Sequence, residues 1–166
     1  MRSTGRSSWR STSSRSYSPR VGRASQTFTC FLREDIAPRL RELGFKGSGK
    51  RFSLPDNDHY AVVSFHTRRT GFPDRVRFTL NVSIVEKATW ERAREATPAL
   101  PAQPSAAASY GLDDGMWWCP VGTIVGGHER WWTLDADGAR RDFLAREVLG
   151  AIEDAVLPTL RERLIG

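Results

Sequence analysis

From Arg75 to Ile84 the chain alternates polar and apolar residues without a break: Val76, Phe78, Leu80, Val82 and Ile84 against Arg77, Thr79, Asn81 and Ser83. A period of two puts the first set on one face of a β-strand and the second on the other. Such a strand cannot stand alone. It needs neighbours to take its backbone hydrogen bonds and an apolar layer to cover Val76 through Ile84.

The neighbours are close in sequence. Arg51–Leu54 reads as a short strand, and Pro55-Asp56-Asn57-Asp58 is turn chemistry. His59–Thr67 reads as a second strand, with Ala61, Val63 and Phe65 on one face and Tyr60 and Val62 on the other. Thr70-Gly71-Phe72-Pro73-Asp74 turns the chain back into the alternating strand, which ends at Val85.

The covering layer comes from the two ends. Phe28, Phe31, Leu32, Ile36, Leu40 and Leu43 recur at helical spacing, with Arg33, Glu34, Arg39, Arg41 and Glu42 mostly opposite. Pro38 removes one donor inside this helix and bends it, and Gly44 is placed to cap it in a left-handed conformation. Leu144, Val148, Ile152, Val156, Leu160 and Leu164 form a second stripe, interrupted by Pro158 and capped by Asp135 or Asp137. Between them lie a short helix, Glu86–Ala96, carrying Trp90, and the Pro/Ala-rich segment 97–115, a flexible loop that serves as a lid or an insertion. Trp118–Val125 and Glu129–Leu134 flank Gly126-Gly127-His128, which predicts a hairpin. The order is α-β-β-β-α-loop-β-β-α. Short connections favour an antiparallel sheet of about five strands packed by the N-terminal and C-terminal helices, a single α+β domain over 27–166. Residues 34–43 echo 153–164, but no fixed-period repeat accompanies them.

Charge divides the chain differently. Arg2, Arg6, Arg10, Arg15, Arg20 and Arg23 precede the first acidic residue, Glu34. Removing these six from 25 Lys+Arg leaves 19 cations against 19 Asp+Glu, so the body is neutral. Residues 1–26 hold nine Ser and no apolar periodicity, the composition of a disordered extension. Three readings of it stay open: a functionless tail from an upstream start site, an anion-binding arm, or a targeting peptide. The preference for Arg over Lys (22 to 3) reads as bacterial coding and weighs against targeting. Two cysteines, Cys30 and Cys119, are too few for a disulfide scaffold, and no apolar run reaches membrane-spanning length. A cytoplasmic protein without membrane contact is expected.

Catalytic signatures fail their contextual tests. Gly44-Phe45-Lys46-Gly47-Ser48-Gly49-Lys50 nearly spells a phosphate loop, but a helix precedes it and Arg51 replaces the magnesium-binding hydroxyl. Cys119 and His128 face each other across the expected hairpin without an orienting group. His59, His66, His128 and the cysteines show no paired ligand spacing, so neither a metal nor a cofactor is expected. Six Trp are more than a small core needs, which makes Trp117, Trp118 and Trp132 candidate partner anchors. Ser64, His66, Arg77, Asn81 and Ser83 make a polar sheet face that an enzyme could use if it is open.

Several of these pieces occur together in one family. Ile36-Ala37-Pro38-Arg39-Leu40 with Leu43-Gly44-Phe45-Lys46, then Arg51-Phe52, the strand ending in Phe65, and Arg77-Phe78-Thr79-Leu80-Asn81-Val82-Ser83-Ile84 are among them. Arg130-Trp131-Trp132 and Val156-Leu157-Pro158 complete the set. From about Thr27 to its end the chain resembles the bacterial family described as domain of unknown function 4304. The resemblance implies an α+β fold and a bacterial source, and none of its motifs is catalytic. The segment before Trp117 is longer than the family leads one to expect.

The functional expectation is a binding or regulatory module without chemistry of its own, whose partner is another protein. Two alternatives stay open. One is a nucleic-acid-associated protein that binds weakly and without sequence preference through the arginine arm. The other is an enzyme with an unmarked site on the polar sheet face.

Overall fold

The computed structural model describes residues 19–112 and 114–166, with side chains from Gly22 onward. Arg2, Arg6, Arg10 and Arg15 lie outside the described residues. Six antiparallel strands form one sheet: β1 (Lys46–Ser48), β2 (Arg51–Leu54), β3 (His59–Arg68), β4 (Arg75–Glu86), β5 (Met116–Pro120) and β6 (Trp132–Asp135). The alternating segment is β4, and it is the axis of the sheet. One edge of β4 pairs with all of β3, from His59 opposite Glu86 to Arg68 opposite Arg77.

The other edge of β4 is shared. β5 pairs with Asn81–Val85 and β6 with Arg75–Phe78. The expected hairpin around Gly126-Gly127-His128 is therefore absent. β5 and β6 lie end to end along β4, and α4 (Val121–Val125) fills the step between them. Pro120 cannot donate to a ladder, so it ends β5, and its fixed φ starts the helix. Gly122 is required there, because a Cβ would collide with the His128 carbonyl.

Both terminal helices differ from the sequence expectation, and in the same way. The first is α1 (Pro19–Phe31), a π turn at Leu32–Ile36, and α2 (Ala37–Glu42). The last is α5 (Arg141–Ala151), a π turn at Ile152–Val156, and α6 (Leu157–Ile165). Proline has no N–H and its ring clashes with the carbonyl four residues back. The residue before each proline instead donates five residues back, Ala37 to Leu32 and Leu157 to Ile152. The expected bend is thus a π turn, and the weak sequence echo is a structural one. α1 also begins at Pro19 rather than near Thr27. Burial of Ala24 and Phe28 extends the helix into the segment that composition assigned to the extension, including Arg20 and Arg23.

Smaller differences have local causes. β1, read as loop, pairs with β2 across the turn Gly49-Lys50, so the glycine-rich run is a hairpin. Gly44 has φ 97° and caps α2 as expected, with Phe45 N–H reaching Leu40 O at 2.9 Å. Asp137 accepts from Ala139 N–H at 2.8 Å and Asp135 belongs to β6, so neither caps the last helix; α5 follows Arg140, whose φ is 61°.

One core fills the space between sheet and helices. Phe52, Val63, Phe65, Phe78, Leu80, Val82 and Trp132 meet Phe28, Phe31, Ile36, Leu40, Val148, Ile152, Val156 and Leu160. The two helices are tied across the top. Arg39 makes a two-pronged ion pair with Glu153 at 2.8 and 3.1 Å, and Arg141 bridges Asp35 and Glu34.

Candidate functional site

The polar sheet face is not open. Ser64, Thr79, Asn81 and Ser83 are all buried. The segment after α3 (Lys87–Ala96) lies over Ser64, and Thr79 is covered by the chain at Arg130. The fastening is specific. Ala106 N–H donates to Ser64 Oγ at 2.9 Å, and Trp118 Nε1–H donates to Ala106 O at 2.8 Å. Arg51 Nε donates to Pro104 O at 3.0 Å, and Ser105 N–H donates to Tyr110 Oη at 3.1 Å. The expected lid is a strap fixed to the sheet. Beneath it, Val85, Trp90 and Met116 form a second small core. Only His66 and Arg77 of the expected polar-face residues are exposed, and both lie against Trp131, with the Arg77 guanidinium 5.1 Å from its ring centre.

The candidate anchors separate as well. Trp132 is buried against Phe78 with ring centres 5.7 Å apart, so it is core and not an accessible anchor. Trp117 is half-buried, with the Arg163 guanidinium 4.2 Å from its ring centre. Trp118 is half-buried and spent on the strap. Burial raises the Cys119 thiol above its ordinary value, more than Thr123 and Arg163 lower it. That favours the protonated thiol over a thiolate nucleophile. Among the described residues, no three or more His, Cys, Asp or Glu come together as a metal site, and no helix is long and apolar enough to cross a membrane.

At the end of the sheet, where β3 turns into β4, lies an open cleft of about 590 Å³. Its walls include Lys50, Arg68, Arg69 and Arg75, Phe72 adds exposed aromatic surface, and the buried Phe28 lies at its base. Among the described residues no carboxylate lines it. Each wall has a local origin. The Thr70 hydroxyl donates to Phe72 O at 2.6 Å and accepts from Phe72 N–H at 3.2 Å, closing a tight turn that Pro73 stiffens. That turn holds the Phe72 ring outward, 61 % exposed. The Arg75 guanidinium lies 4.8 Å from the ring centre, and its charge is partly met by Asp74 and Asp135 at 3.6 and 3.7 Å. On the opposite wall, Lys50 donates to Thr67 Oγ1 at 3.1 Å and sits 5.7 Å from the Phe28 ring centre. Among the described residues, Lys50, Arg68 and Arg69 enter no ion pair.

The sequence reading places Thr70–Asp74 as a turn and Phe28 in a helix, puts Lys50 in the glycine-rich run, and passes over Arg68 and Arg69, which fall between the strand and the turn. The signal that could have found the site is Arg68-Arg69 and Arg75 around a turn with an apolar residue at its tip. It is weak, because basic turns are common on protein surfaces.

No curated protein matches the chain. No solved structure matches it either. The family model described as domain of unknown function (DUF4304) matches residues 36–162, which span α2, the whole sheet and nearly all of the last helix. The chain belongs to that family.

Proposed function

We propose that this domain is a binding module and that the basic cleft is where it engages an anionic partner. The observation that carries this is the set of cations Lys50, Arg68 and Arg69, gathered in one concavity and, among the described residues, without an ion-pair partner or a carboxylate in its walls. Other arginines, Arg41, Arg77 and Arg146 among them, also enter no ion pair among the described residues, so what marks the cleft is the gathering of its cations in one place. A second group is paired, although a surface arginine ordinarily gains little from a neighbouring acid. Arg33, Arg39, Arg94, Arg130 and Arg141 are all in ion pairs. Like charges held together without counter-charge raise the local potential and draw anions in.

The arginine arm supports the same reading. Ala24 and Ser25 line the cleft, and the chain enters α1 at Pro19. Arg2, Arg6, Arg10 and Arg15 precede that helix in sequence, and cations carried on one chain can act together on one anionic partner.

The test is titration of the full chain with inorganic polyphosphate as salt is raised, beside a Lys50→Glu/Arg69→Glu variant. The arm is present in both, so the difference reports the cleft. The expected result is at least about tenfold weaker binding and a log–log salt slope shallower by about 2. Equal affinity and equal slope would leave the arm alone responsible and overturn the proposal.

A further inference from the structure

We infer that the cleft takes a single strand of nucleic acid, with phosphates on Lys50, Arg68 and Arg69 and a base stacked on Phe72; this rests on the cleft being the anion site. The shape of the surface points to a single strand. Reading a duplex requires a projecting element, a helix or a two-stranded ribbon, that enters a groove about 12 Å wide. Here the basic surface is concave and small, so the ligand must enter the protein. A single strand can do so, because its backbone and its bases are both accessible.

The second argument is the aromatic ring. Phe72 is the large apolar side chain most exposed along the cleft, and it is not loose. The Thr70 hydroxyl and Pro73 fix its backbone, and Arg75 lies over it. A ring held outward among cations supplies the two things a strand needs, a stacking platform and charge spaced along its path. Arg75, engaged with Asp74 and Asp135, orients the ring, while Lys50, Arg68 and Arg69 keep their charge for phosphate. An acidic peptide would satisfy the cations but bring no planar partner for Phe72.

The experiment uses the full chain and four labelled probes: oligo(dT) of about 12 nucleotides, the same backbone without bases, a duplex of equal charge, and poly-glutamate. Binding is read by fluorescence anisotropy at physiological salt. Phe72→Ala is expected to weaken oligo(dT) about tenfold and leave the abasic strand unchanged, because stacking is lost and charge is not. Arg69→Gln is expected to weaken both. Phe72 is exposed, so its variant keeps the wild-type melting temperature, which circular dichroism checks. Equal effects of Phe72→Ala on both strands would overturn the stacking inference and leave the anion site standing. Poly-glutamate or duplex bound as tightly as oligo(dT) would also overturn it. If neither variant changes the binding of any probe, the anion site falls too.

Discussion

Phe78 is the residue on which the two layers of this fold meet, and its truncation gives a sharp test of the packing. It is fully buried on the core face of β4. Its ring centre lies 5.0 Å from Phe28, 5.8 Å from Phe31, 6.3 Å from Phe65 and 5.7 Å from Trp132. Phe→Ala in a core costs about 3–5 kcal/mol, and the value rises when the walls cannot collapse. Four rings held by one helix and two strands cannot collapse, and each aromatic pair adds to simple area burial. Phe78→Ala should therefore cost about 4–5 kcal/mol, a large share of a domain's usual stability of about 5–15 kcal/mol. Thr79, one residue along, points to the opposite face of β4, and its hydroxyl donates to Arg130 O at 2.6 Å. Thr79→Ala loses that bond and should cost about 1–2 kcal/mol. Urea unfolding followed by tryptophan fluorescence measures both, with the midpoint shifting at constant slope. If the Phe78→Ala chain is unfolded without urea, Phe78→Leu should cost about 1–2 kcal/mol. Phe78→Ala costing under about 2 kcal/mol, or no more than Thr79→Ala, would refute the packing account.

The ion pairs between the two helices predict an acid limb of stability. Arg39 lowers the Glu153 carboxyl, and Arg33 and then Arg141 lower Glu34. A group whose folded value is depressed contributes above its unfolded value and loses that contribution as pH falls through the folded one. Thermal stability should stay level from about pH 7 to about pH 5 and decline below about pH 4, with a shallower decline in Glu153→Gln; an unchanged decline in that variant would count against the pair. The strap predicts a local effect. Trp118→Phe removes the donor to Ala106 O and should speed amide exchange through residues 103–107 while global stability falls by only about 1 kcal/mol; exchange at the wild-type rate would show that the bond does not hold the strap.

How much of this was legible in the sequence follows from range. Period-two alternation located β4, and the clusters around residues 55–58 and 70–74 located the turns on either side of β3, because strand faces and turns are set by neighbours. The β5–β6 pairing was misread for the same reason. Gly126-Gly127-His128 is a valid local hairpin signal. It loses to β4, whose twelve residues offer one long edge on which both short strands find partners. The π turns were hidden behind a correct observation. Pro38 and Pro158 announced a break, but a break can be a kink, a stop or a widened turn. The choice depends on keeping Leu32 and Ile36, or Ile152 and Val156, on the buried side.

The site was less legible than the fold because charge was summed along the chain, while function depends on where charge sits. Nineteen cations against nineteen acids make the body neutral in sum, and the sum says nothing of local charge. The acids of this domain are not evenly spread. Glu34, Asp35, Glu42 and Glu153 are taken up by Arg33, Arg39 and Arg141 over the paired helices. At the far end of the sheet Lys50, Arg68 and Arg69 enter no ion pair among the described residues. Acids and cations are thus concentrated in different places although their numbers match. The same reasoning changes the meaning of the arginine arm. Beside a neutral body it would be a separate appendage, whereas here it precedes in sequence the helix whose Ala24 and Ser25 line the cleft, and both sets of cations can serve one anion.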